Sequence, residues 1–545
     1  MKKTILILSL LISSITSLGQ EIAFEKVDIS DVAKLDYTMK VLALELSNQK
    51  LPPRDLYRAL VIGHNFKEAI VIIDSIYTKS SNAGKNYLEY YKIYIKARTV
   101  KKFDVGFRKL FKKYLINADD IKVLELDLDM VVRNRTEQFI LDFNQNYKKA
   151  STGKISVKTA KKLVNAYYLK KVFSTTKALI ADEIDKDHKR RYEIDDSVII
   201  STSNGAEISA VSVKRKGRSK KKESTLLAYS IYAEKTPIWA MLCATKGYVG
   251  VIANTRGKRK SKSKTIPFEY ENYDVNQVLE WISNQKWSNK KVGMYGGSYD
   301  GFSQWAAMKH KVHPALKTII PTVAIAPGID YPMENNVLHN YSYYWNFYVT
   351  NNKYLDNEVV NDRSRLENLR NNWYKSGVAF NKLDSINGKV NEFWSKVIKH
   401  SSYDGFWKKM IPYKNEFSKI NIPILSITGY YDDSQRGAMY YYNQHHKYAK
   451  NPNHYLLVGP YDHWTAQNKP FDYLRSYKLD NVAKIDLRYD VTFQWFDYIL
   501  KGKEKPSILK DKVNFQVMDT DTWMHKPSLN AMTNDTLKFH LNSLK

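Results

Sequence analysis

From about residue 196 to the end of the chain, short apolar segments typical of strands alternate with segments typical of helices. This alternation favours an α/β fold, in which a largely parallel sheet carries helices on both faces. An Asn204-Gly205 turn within residues 198–211 indicates an antiparallel hairpin at the start of the region. The other predicted strands are residues 226–231, 247–254, 291–295, 318–323, 424–428 and 455–459. In such sheets ligands bind beyond the carboxyl ends of the strands, so a functional site is expected there.

A mostly helical segment, residues 327–418, interrupts the alternation between two predicted strands. It is rich in aromatic residues, namely Tyr341, Tyr343, Tyr344, Trp345, Phe347 and Tyr348. An insertion of this kind can form a cap over a site. Composition leaves open the alternative that it only enlarges the core.

Residues 20–190 are predicted to form a separate helical domain, because apolar residues recur there at spacings of three and four. The clearest examples are residues 32–46, 66–77, 87–97 and 157–184. The pattern favours a small bundle or a solenoid-like module without a strict repeat. No catalytic constellation is apparent in this part of the sequence.

The first 19 residues are predicted to be a signal peptide. Lys2 and Lys3 precede an apolar run at residues 5–12, and Ser17-Leu18-Gly19 supplies small residues for cleavage. The run is too short to span a bilayer comfortably, and no later stretch is apolar enough for a membrane helix. We therefore expect an exported protein, periplasmic or secreted, whose mature chain begins near Gln20.

The chain has 86 Lys and Arg against 56 Asp and Glu, a formal net charge of +30. Its densest basic runs, residues 214–222 and 256–264, flank predicted strands and are interpreted as solvated loops. The sequence shows no zinc finger, basic zipper or RNA-binding signature, so no nucleic-acid function is expected. A single cysteine, Cys243, excludes an intrachain disulfide and a zinc site built from paired cysteines.

A candidate nucleophile lies at Ser298, directly after the predicted strand 291–295. Gly296 and Gly297 precede it, and residues 302–308 look helical. A serine on a tight strand-to-helix turn is exposed and strained, so small residues must flank it. The motif G-x-S-x-G would place glycine at position 300; this chain has Asp300, and its glycine follows at 301. We expect Asp300 to tie down the turn through backbone amides.

A serine nucleophile requires a base, and the base requires an acid that fixes its tautomer. In this type of fold the chain order is serine, acid, histidine. Asp432 follows the strand 424–428, and His463 follows the strand 455–459. Asp433 and Asp330 are the competing acids.

In these segments the chain resembles the X-Pro dipeptidyl-peptidase and cocaine esterase family of serine hydrolases, which have the α/β-hydrolase fold. The resemblance covers residues 195–545, and its residues are Thr255-Arg256-Gly257, Trp281, residues 287–299, Gly429-Tyr430-Tyr431-Asp432 and Gly459-Pro460-Tyr461-Asp462-His463. The family's turn reads Ser-Tyr-x-Gly, so Gly301 falls where the family has glycine. The resemblance implies that Ser298 is the nucleophile, His463 the base and Asp432 its acid.

The resemblance also implies an oxyanion hole made by the Tyr299 amide and a tyrosine hydroxyl after an early strand. Tyr232, in Ser230-Ile231-Tyr232-Ala233, is the candidate hydroxyl, and a buried aromatic at a strand end is the alternative interpretation. Trp345, Tyr348 and Glu334 of the insertion are the candidate substrate contacts, with Glu334 available to hold the free amine of an X-Pro peptide.

Members of the family continue into a C-terminal jelly-roll domain. Residues 513–518 and 537–541 resemble its first strands, so residues 195–505 are predicted to be the hydrolase domain and residues 510–545 an incomplete jelly-roll-like end.

The function expected from the resemblance is an exported serine hydrolase that cleaves a small ester or a peptide through an acyl-enzyme. The alternative is a non-catalytic binding protein on the same fold, with partner binding carried by the helical N-terminal domain. The triad chemistry implies no metal and no organic cofactor, and the sequence leaves the oligomeric state open.

Overall fold

The computed structural model describes residues 21–80, 82–132, 135–217, 222–533, 535 and 537–540. The predicted signal peptide, residues 1–19, lies outside them. The chain divides into two compact units, a helical unit that ends at Arg191 and an α/β unit that begins at Tyr192. Among the described residues, no helix combines the length and the apolar character that crossing a membrane requires.

The helical unit is built around one long helix, Val157–Arg191, whose apolar stripe is buried against the shorter helices. Asp31 and Asp119 cap two of these by accepting backbone N–H bonds, as residues before a helix commonly do. The strand Glu21–Phe24 pairs antiparallel with Gly153–Ser156. The other helices are Val32–Ser47, Pro53–Ile62, Phe66–Tyr77, Asn82–Arg98, Phe103–Asn117, Asp120–Asp127, the π-helical turn Leu128–Val132 and Thr136–Lys149.

The α/β unit contains a ten-stranded sheet. In chain order its strands are β1 (Tyr192–Ser201), β2 (Glu207–Arg215), β3 (Glu223–Ser230), β4 (Val249–Asn254), β5 (Ser288–Gly297), β6 (Leu316–Thr322), β7 (Ile424–Tyr431), β8 (His454–Asp462), β9 (Val513–Val517) and β10 (Thr522–Lys526). Their order across the sheet is β10-β9-β8-β7-β6-β5-β3-β4-β2-β1. The seven strands β3 to β9 pair with one another in parallel, whereas β1 pairs antiparallel with β2, β2 with β4, and β10 with β9. The predicted α/β-hydrolase fold class is confirmed.

Helices connect the parallel strands because a parallel neighbour can be reached only by a crossover. The crossover helices are Ile238–Thr245, Glu271–Ser283, Tyr299–Ala306, Gln435–Tyr448 and Thr492–Lys501. Shorter elements complete the unit: the hairpins Met333–Glu334 with Val337–Leu338 and Tyr473–Leu474 with Tyr477–Lys478, and the turns Thr465–Gln467, Asn481–Ala483, Leu487–Val491 and Leu529–Met532.

Residues 323–423, between β6 and β7, form the helical insertion, which we call the cap. Its buried Tyr343, Phe393 and Trp394 belong to the same apolar cluster as the sheet. The cap therefore enlarges the core as well as contributing residues near the strand ends. Its helical segments are Ser342–Thr350, Asn357–Asn361, Arg363–Ser376, Phe380–Lys382, Leu383–Asn387, Glu392–Lys399, Gly405–Lys408 and Lys414–Lys419.

The C-terminal strands differ from the sequence prediction. Instead of opening a separate jelly-roll-like domain, β9 pairs parallel with β8, and β10 returns antiparallel to β9, so both strands extend the central sheet. The physical reason is that Val513 and Phe515 are buried against Leu456 and Tyr442. The second predicted strand is absent from the described residues 537–540, which have no regular structure.

Strand register brings the carboxyl ends of four strands, β5 to β8, to one edge of the sheet. Gly297 at the end of β5 is level with Thr322 of β6, Thr322 is level with Ile427 of β7, and Ile427 is level with Leu457 of β8. Residues that follow these strands closely, such as Ser298, Asp432 and His463, therefore leave the sheet at the same edge.

Candidate active site

Ser298 lies on a sharp turn between β5 and the helix Tyr299–Ala306. Its backbone has φ 60° and ψ −119°, a conformation that a non-glycine residue adopts only under strain. The strain is held by hydrogen bonds: the Ser298 amide donates to the Thr322 carbonyl (3.0 Å), and its carbonyl accepts from the Phe302 amide (3.0 Å). A Cβ at Gly301 would lie 2.8 Å from the Ala324 Cβ, so the close approach of this helix to the chain after β6 requires glycine.

Asp432 follows β7, and its carboxylate is buried with three hydrogen bonds. It accepts from the Thr428 hydroxyl (2.9 Å), the Ser434 amide (2.9 Å) and Nδ1 of His463 (2.8 Å). Asp432 is therefore suited to fix the orientation and tautomer of the His463 ring.

His463 follows β8, and because its Nδ1 is bonded to Asp432, Nε2 is the ring nitrogen left to act as a base. Burial lowers the pKa of His463, but the hydrogen bond to Asp432 and the charges of Asp432 and Asp433 outweigh it, and the net pKa is raised above its ordinary value of 6.5. The next turn links this loop to the turn at Ser298: Nε2 of the Gln467 side chain donates to the His463 carbonyl (2.6 Å), and the same side chain packs against Gly297.

The two competing acids are placed differently. Asp433 lies 3.4 Å from Nδ1 of His463, but its side chain is 66% exposed. Asp330 is buried and accepts from the amides of Ala326 (2.7 Å) and Gly437 (2.8 Å). Burial raises the pKa of Asp330 to about 8, which favours its neutral form. Asp330 thus joins the cap to the helix after β7, and Asp432 has the geometry of an orienting acid.

Asp432, Asp433 and His463 could also be considered as metal ligands, since each offers an atom within 4.8 Å of the others. However, Nδ1 of His463 already forms the hydrogen bond to Asp432. The arrangement therefore suits a proton relay better than a metal centre.

Tyr299 can offer its backbone amide to an oxyanion, whereas its side chain is bonded to residues outside the turn. As the first residue of its helix, Tyr299 has a backbone N–H without a partner in that helix, at the end where partial positive charge accumulates. Its hydroxyl is buried, donates to Glu271 and accepts from the Phe268 amide (3.0 Å). Only the amide can serve an oxyanion.

Tyr232 lies beside Ser298 at the end of β3. Its hydroxyl accepts the indole N–H of Trp345 (3.2 Å), and its ring packs edge-on against Tyr299 at 6.3 Å between centroids. Burial raises the pKa of Tyr232, although hydrogen bonds with Trp345 and Ser298 act in the opposite direction. The phenol therefore keeps its proton at neutral pH and can donate it.

The expectation that Asp300 holds the turn through backbone amides is wrong. Its carboxyl hydrogen-bonds with the Ser230 side chain, and its Oδ1 has no partner within the described part of the chain. Burial raises the pKa of Asp300 well above its usual range, which favours the neutral acid. The Ser230 hydroxyl in turn accepts the Tyr232 amide (3.0 Å), so Asp300 supports the end of β3.

The predicted substrate contacts occupy two regions. Trp345 is linked to Ser298 through Tyr232, and half-buried Tyr348 lies one turn further along the same helix, Ser342–Thr350. Glu334 forms an ion pair with Arg436, so its charge is already compensated.

Sequence reasoning missed a buried network beneath the turn. Arg256 donates two hydrogen bonds to Asp274 (2.8 and 2.6 Å), while Glu271 accepts from Tyr299 and from the Thr255 hydroxyl (3.2 Å). Burial raises the pKa of Glu271 to about 7. The detectable signal was two acidic residues spaced by three on a helix face that is otherwise apolar, a pattern that requires buried partners.

Comparison with known proteins agrees with this architecture. The model of the X-Pro dipeptidyl-peptidase (S15) family matches residues 164–465. Over 80 residues the chain is 40% identical to a cocaine esterase of Rhodococcus sp. (strain MB1 Bresler), a match that covers 15% of this chain and 14% of the esterase.

Two solved structures share the fold. An aminopeptidase from the marine sediment archaeon Thaumarchaeota archaeon is 17% identical with a TM-score of 0.50, and an α-amino acid ester hydrolase is 21% identical with a TM-score of 0.52. Each match covers 62% of this chain and 59% of the other, so the chain spans little more than half of these relatives. Since the family match extends over more than half of its 545 residues, the chain belongs to the X-Pro dipeptidyl-peptidase (S15) family of serine hydrolases.

Proposed function

We propose that this protein hydrolyses an ester or amide bond through an acyl-enzyme on Ser298, with His463 as the base and Asp432 as its orienting acid. The observation that carries the proposal is the 2.8 Å bond between His463 and the fully satisfied Asp432, at the sheet edge where Ser298 is held at φ 60°.

In the proposed first step, the Ser298 hydroxyl attacks the substrate carbonyl while Nε2 of His463 takes its proton. The tetrahedral intermediate carries its negative charge on the former carbonyl oxygen, which the Tyr299 amide and the Tyr232 hydroxyl stabilise. Its collapse expels an alcohol or amine that takes the proton back from His463. Water then attacks the acyl-enzyme by the same route and releases the acid.

The substrate class that we propose is a small ester or a short peptide with an X-Pro amide. Aromatic side chains of the cap, Trp345 and Tyr348, support an acyl group with an apolar part. Glu334 is a weaker candidate for holding a free amine than its sequence position implied, because Arg436 already neutralises it. Cleavage near Gly19 and export remain part of the proposal.

The test is labelling of the purified mature protein with a fluorophosphonate probe, beside the variants Ser298→Ala and Ser283→Ala. Ser283 lies on the helix Glu271–Ser283 and donates to the Leu279 carbonyl, so its loss controls for nonspecific effects. We expect labelling of the wild type and of Ser283→Ala, and none of Ser298→Ala. A folded wild type that takes no label and hydrolyses neither aryl esters nor X-Pro anilides would reject the enzyme in favour of a binding protein.

A further inference from the structure

The basic segment 256–264, interpreted from sequence as a solvated loop, buries one of its lysines. Lys258 has no exposed surface, and its ammonium donates to the carbonyls of Val349 (2.7 Å), Asn352 (2.7 Å) and Tyr354 (3.1 Å). All three acceptors belong to the cap.

A lysine of the cap makes the same kind of contact in the opposite direction. The ammonium of Lys353 donates to the carbonyls of Gly257 (2.9 Å) and Ser261 (2.6 Å), and its own carbonyl accepts the Arg259 amide (2.9 Å). Two lysines thus reach across in opposite directions, each into the backbone of the other's segment. We call Lys258, Lys353 and these carbonyls the lysine clasp.

The clasp fixes the position of the helix Ser342–Thr350 because its hydrogen bonds come from charged ammonium groups. An ammonium has three N–H donors, and in Lys258 all three are used. Within the described residues no carboxylate lies within ion-pair distance of Lys258, so backbone carbonyls alone compensate its buried charge. Val349 is in the last turn of the helix Ser342–Thr350, where carbonyls point outward and partial negative charge accumulates. The helix cannot slide without leaving a buried charge and its acceptors unpaired.

The helix that the clasp holds is the one that carries Trp345. The indole of Trp345 donates to the hydroxyl of Tyr232, which lies beside Ser298. A contiguous chain of contacts therefore runs from Lys258 and Lys353 to the phenol that we assign to the oxyanion hole.

We propose that Lys258 and Lys353 are positioning residues for Tyr232: by fixing the helix Ser342–Thr350 they set where Trp345 holds the phenol relative to the developing oxyanion. The inference rests on the proposed function. Packing of Tyr343, Phe347 and Val349 also holds this helix, so the alternative is that the clasp contributes stability alone.

The test uses Lys353, which is exposed and can be changed with little risk to folding. The variants are Lys353→Met, Lys353→Arg and, as a matched control, Lys382→Met, which removes an exposed lysine elsewhere in the cap. We expect Lys353→Met to lower kcat about tenfold with less than about a twofold change in KM, a fraction of the loss caused by removing an oxyanion donor. Lys353→Arg should retain most of kcat, and Lys382→Met should match the wild type.

A double-mutant cycle distinguishes positioning from stability. If the clasp acts through Tyr232, Lys353→Met should lower kcat much less in a Tyr232→Phe background than in the wild type. Equal losses in the two backgrounds, or no loss in the wild-type background, would overturn the proposal. Lys258→Met, if it folds, should repeat the pattern with a larger effect.

Hydrogen exchange of the amides of residues 342–354 distinguishes a failure of this proposal from a failure of the proposed function. An inactive wild type would overturn both, whereas faster exchange in Lys353→Met would still establish the clasp as a mechanical link. An active wild type with unchanged exchange and unchanged kcat in Lys353→Met would overturn the positioning role alone.

Discussion

The indole N–H of Trp345 donates a 3.2 Å hydrogen bond to the hydroxyl of Tyr232, a residue 113 positions earlier in the chain. The bond occupies one lone pair of the phenol oxygen and leaves its O–H group able to donate to an oxyanion. An aromatic residue of the cap thereby orients a donor that belongs to the sheet.

The first prediction concerns that donor. Tyr232→Phe should lower kcat about a hundredfold and change KM little, because the phenol is needed mainly when negative charge develops. Tyr344→Phe is the matched control, since its hydroxyl donates to the Leu366 carbonyl within the cap, and its kcat should stay close to that of the wild type. Steady-state kinetics on one ester substrate decides the matter. A larger change in KM than in kcat would assign Tyr232 to ground-state binding.

A second prediction separates the two neighbouring acids. Asp432→Asn should lower kcat by about 10⁴-fold, because the amide cannot hold the His463 tautomer that presents a basic Nε2. Asp433→Asn removes a charge 3.4 Å from the same ring, but an exposed one, so kcat should change less than about threefold. Both kinetics and circular dichroism should be recorded. A severe loss of kcat in Asp433→Asn, with only a mild loss in Asp432→Asn, would make Asp433 the orienting acid.

The pH dependence of activity provides a third prediction. In the proposed mechanism hydrolysis requires neutral His463, whose pKa is raised above 6.5 by its carboxylate neighbours. The acid limb of kcat/KM should therefore have its midpoint above pH 6.5, with activity falling as the pH drops through it. Removing the exposed charge in Asp433→Asn should move the midpoint to lower pH. A midpoint well below 6.5 in the wild type would contradict the assignment of His463.

A fourth prediction concerns stability in acid. His445 and His454 are buried and face each other through Nδ1 at 3.1 Å. His445 Nε2 donates to the Ile420 carbonyl and the Ser426 hydroxyl pairs with His454 Nε2, a network that both rings complete only when neutral. Burial lowers the pKa of His445 to about 4 and that of His454 well below 6.5.

Because the unfolded chain takes up protons near pH 6.5 and the folded one only near pH 4, stability should be lost as the pH falls between these values. His445 alone should contribute about 3 kcal/mol to this loss. Urea unfolding followed by tryptophan fluorescence reports on the α/β unit, since every tryptophan in the sequence follows residue 192. His445→Gln should flatten the pH dependence. Equal stability of the wild type at pH 7 and pH 4.5 would refute the argument.

Sequence reasoning succeeded where the physics is local or periodic. Alternating strand and helix patterns predict the parallel sheet, and that fold places Ser298, Asp432 and His463 at strand ends that must share an edge. Of the two C-terminal strands, β9 is also predicted, whereas β10 and the place of both strands in the central sheet are not. Val513 and Phe515 could pack within a new domain or on Leu456 of β8. The choice depends on the shape of the surface that the folded sheet presents, which cannot be read from the sequence.

The remaining errors involve charged residues whose partners are distant in the chain. Lys258 belongs to a basic run that looks solvated, yet its acceptors are backbone carbonyls about 90 residues later, and carbonyls leave no signal in a sequence. Asp300 looks like a local brace, but its carboxyl pairs with Ser230 on another strand. Glu334 looks free, and its partner Arg436 lies beyond the cap.

The backbone of Ser298 has a consequence for how this protein evolves. At φ 60° and ψ −119°, glycine would relieve about 1–3 kcal/mol of strain that serine imposes. Glycine at this position would therefore give a more stable fold, and under the proposed function only selection for hydrolysis opposes that drift. A serine that persists at this position across a lineage is thus a record that the chemistry is in use.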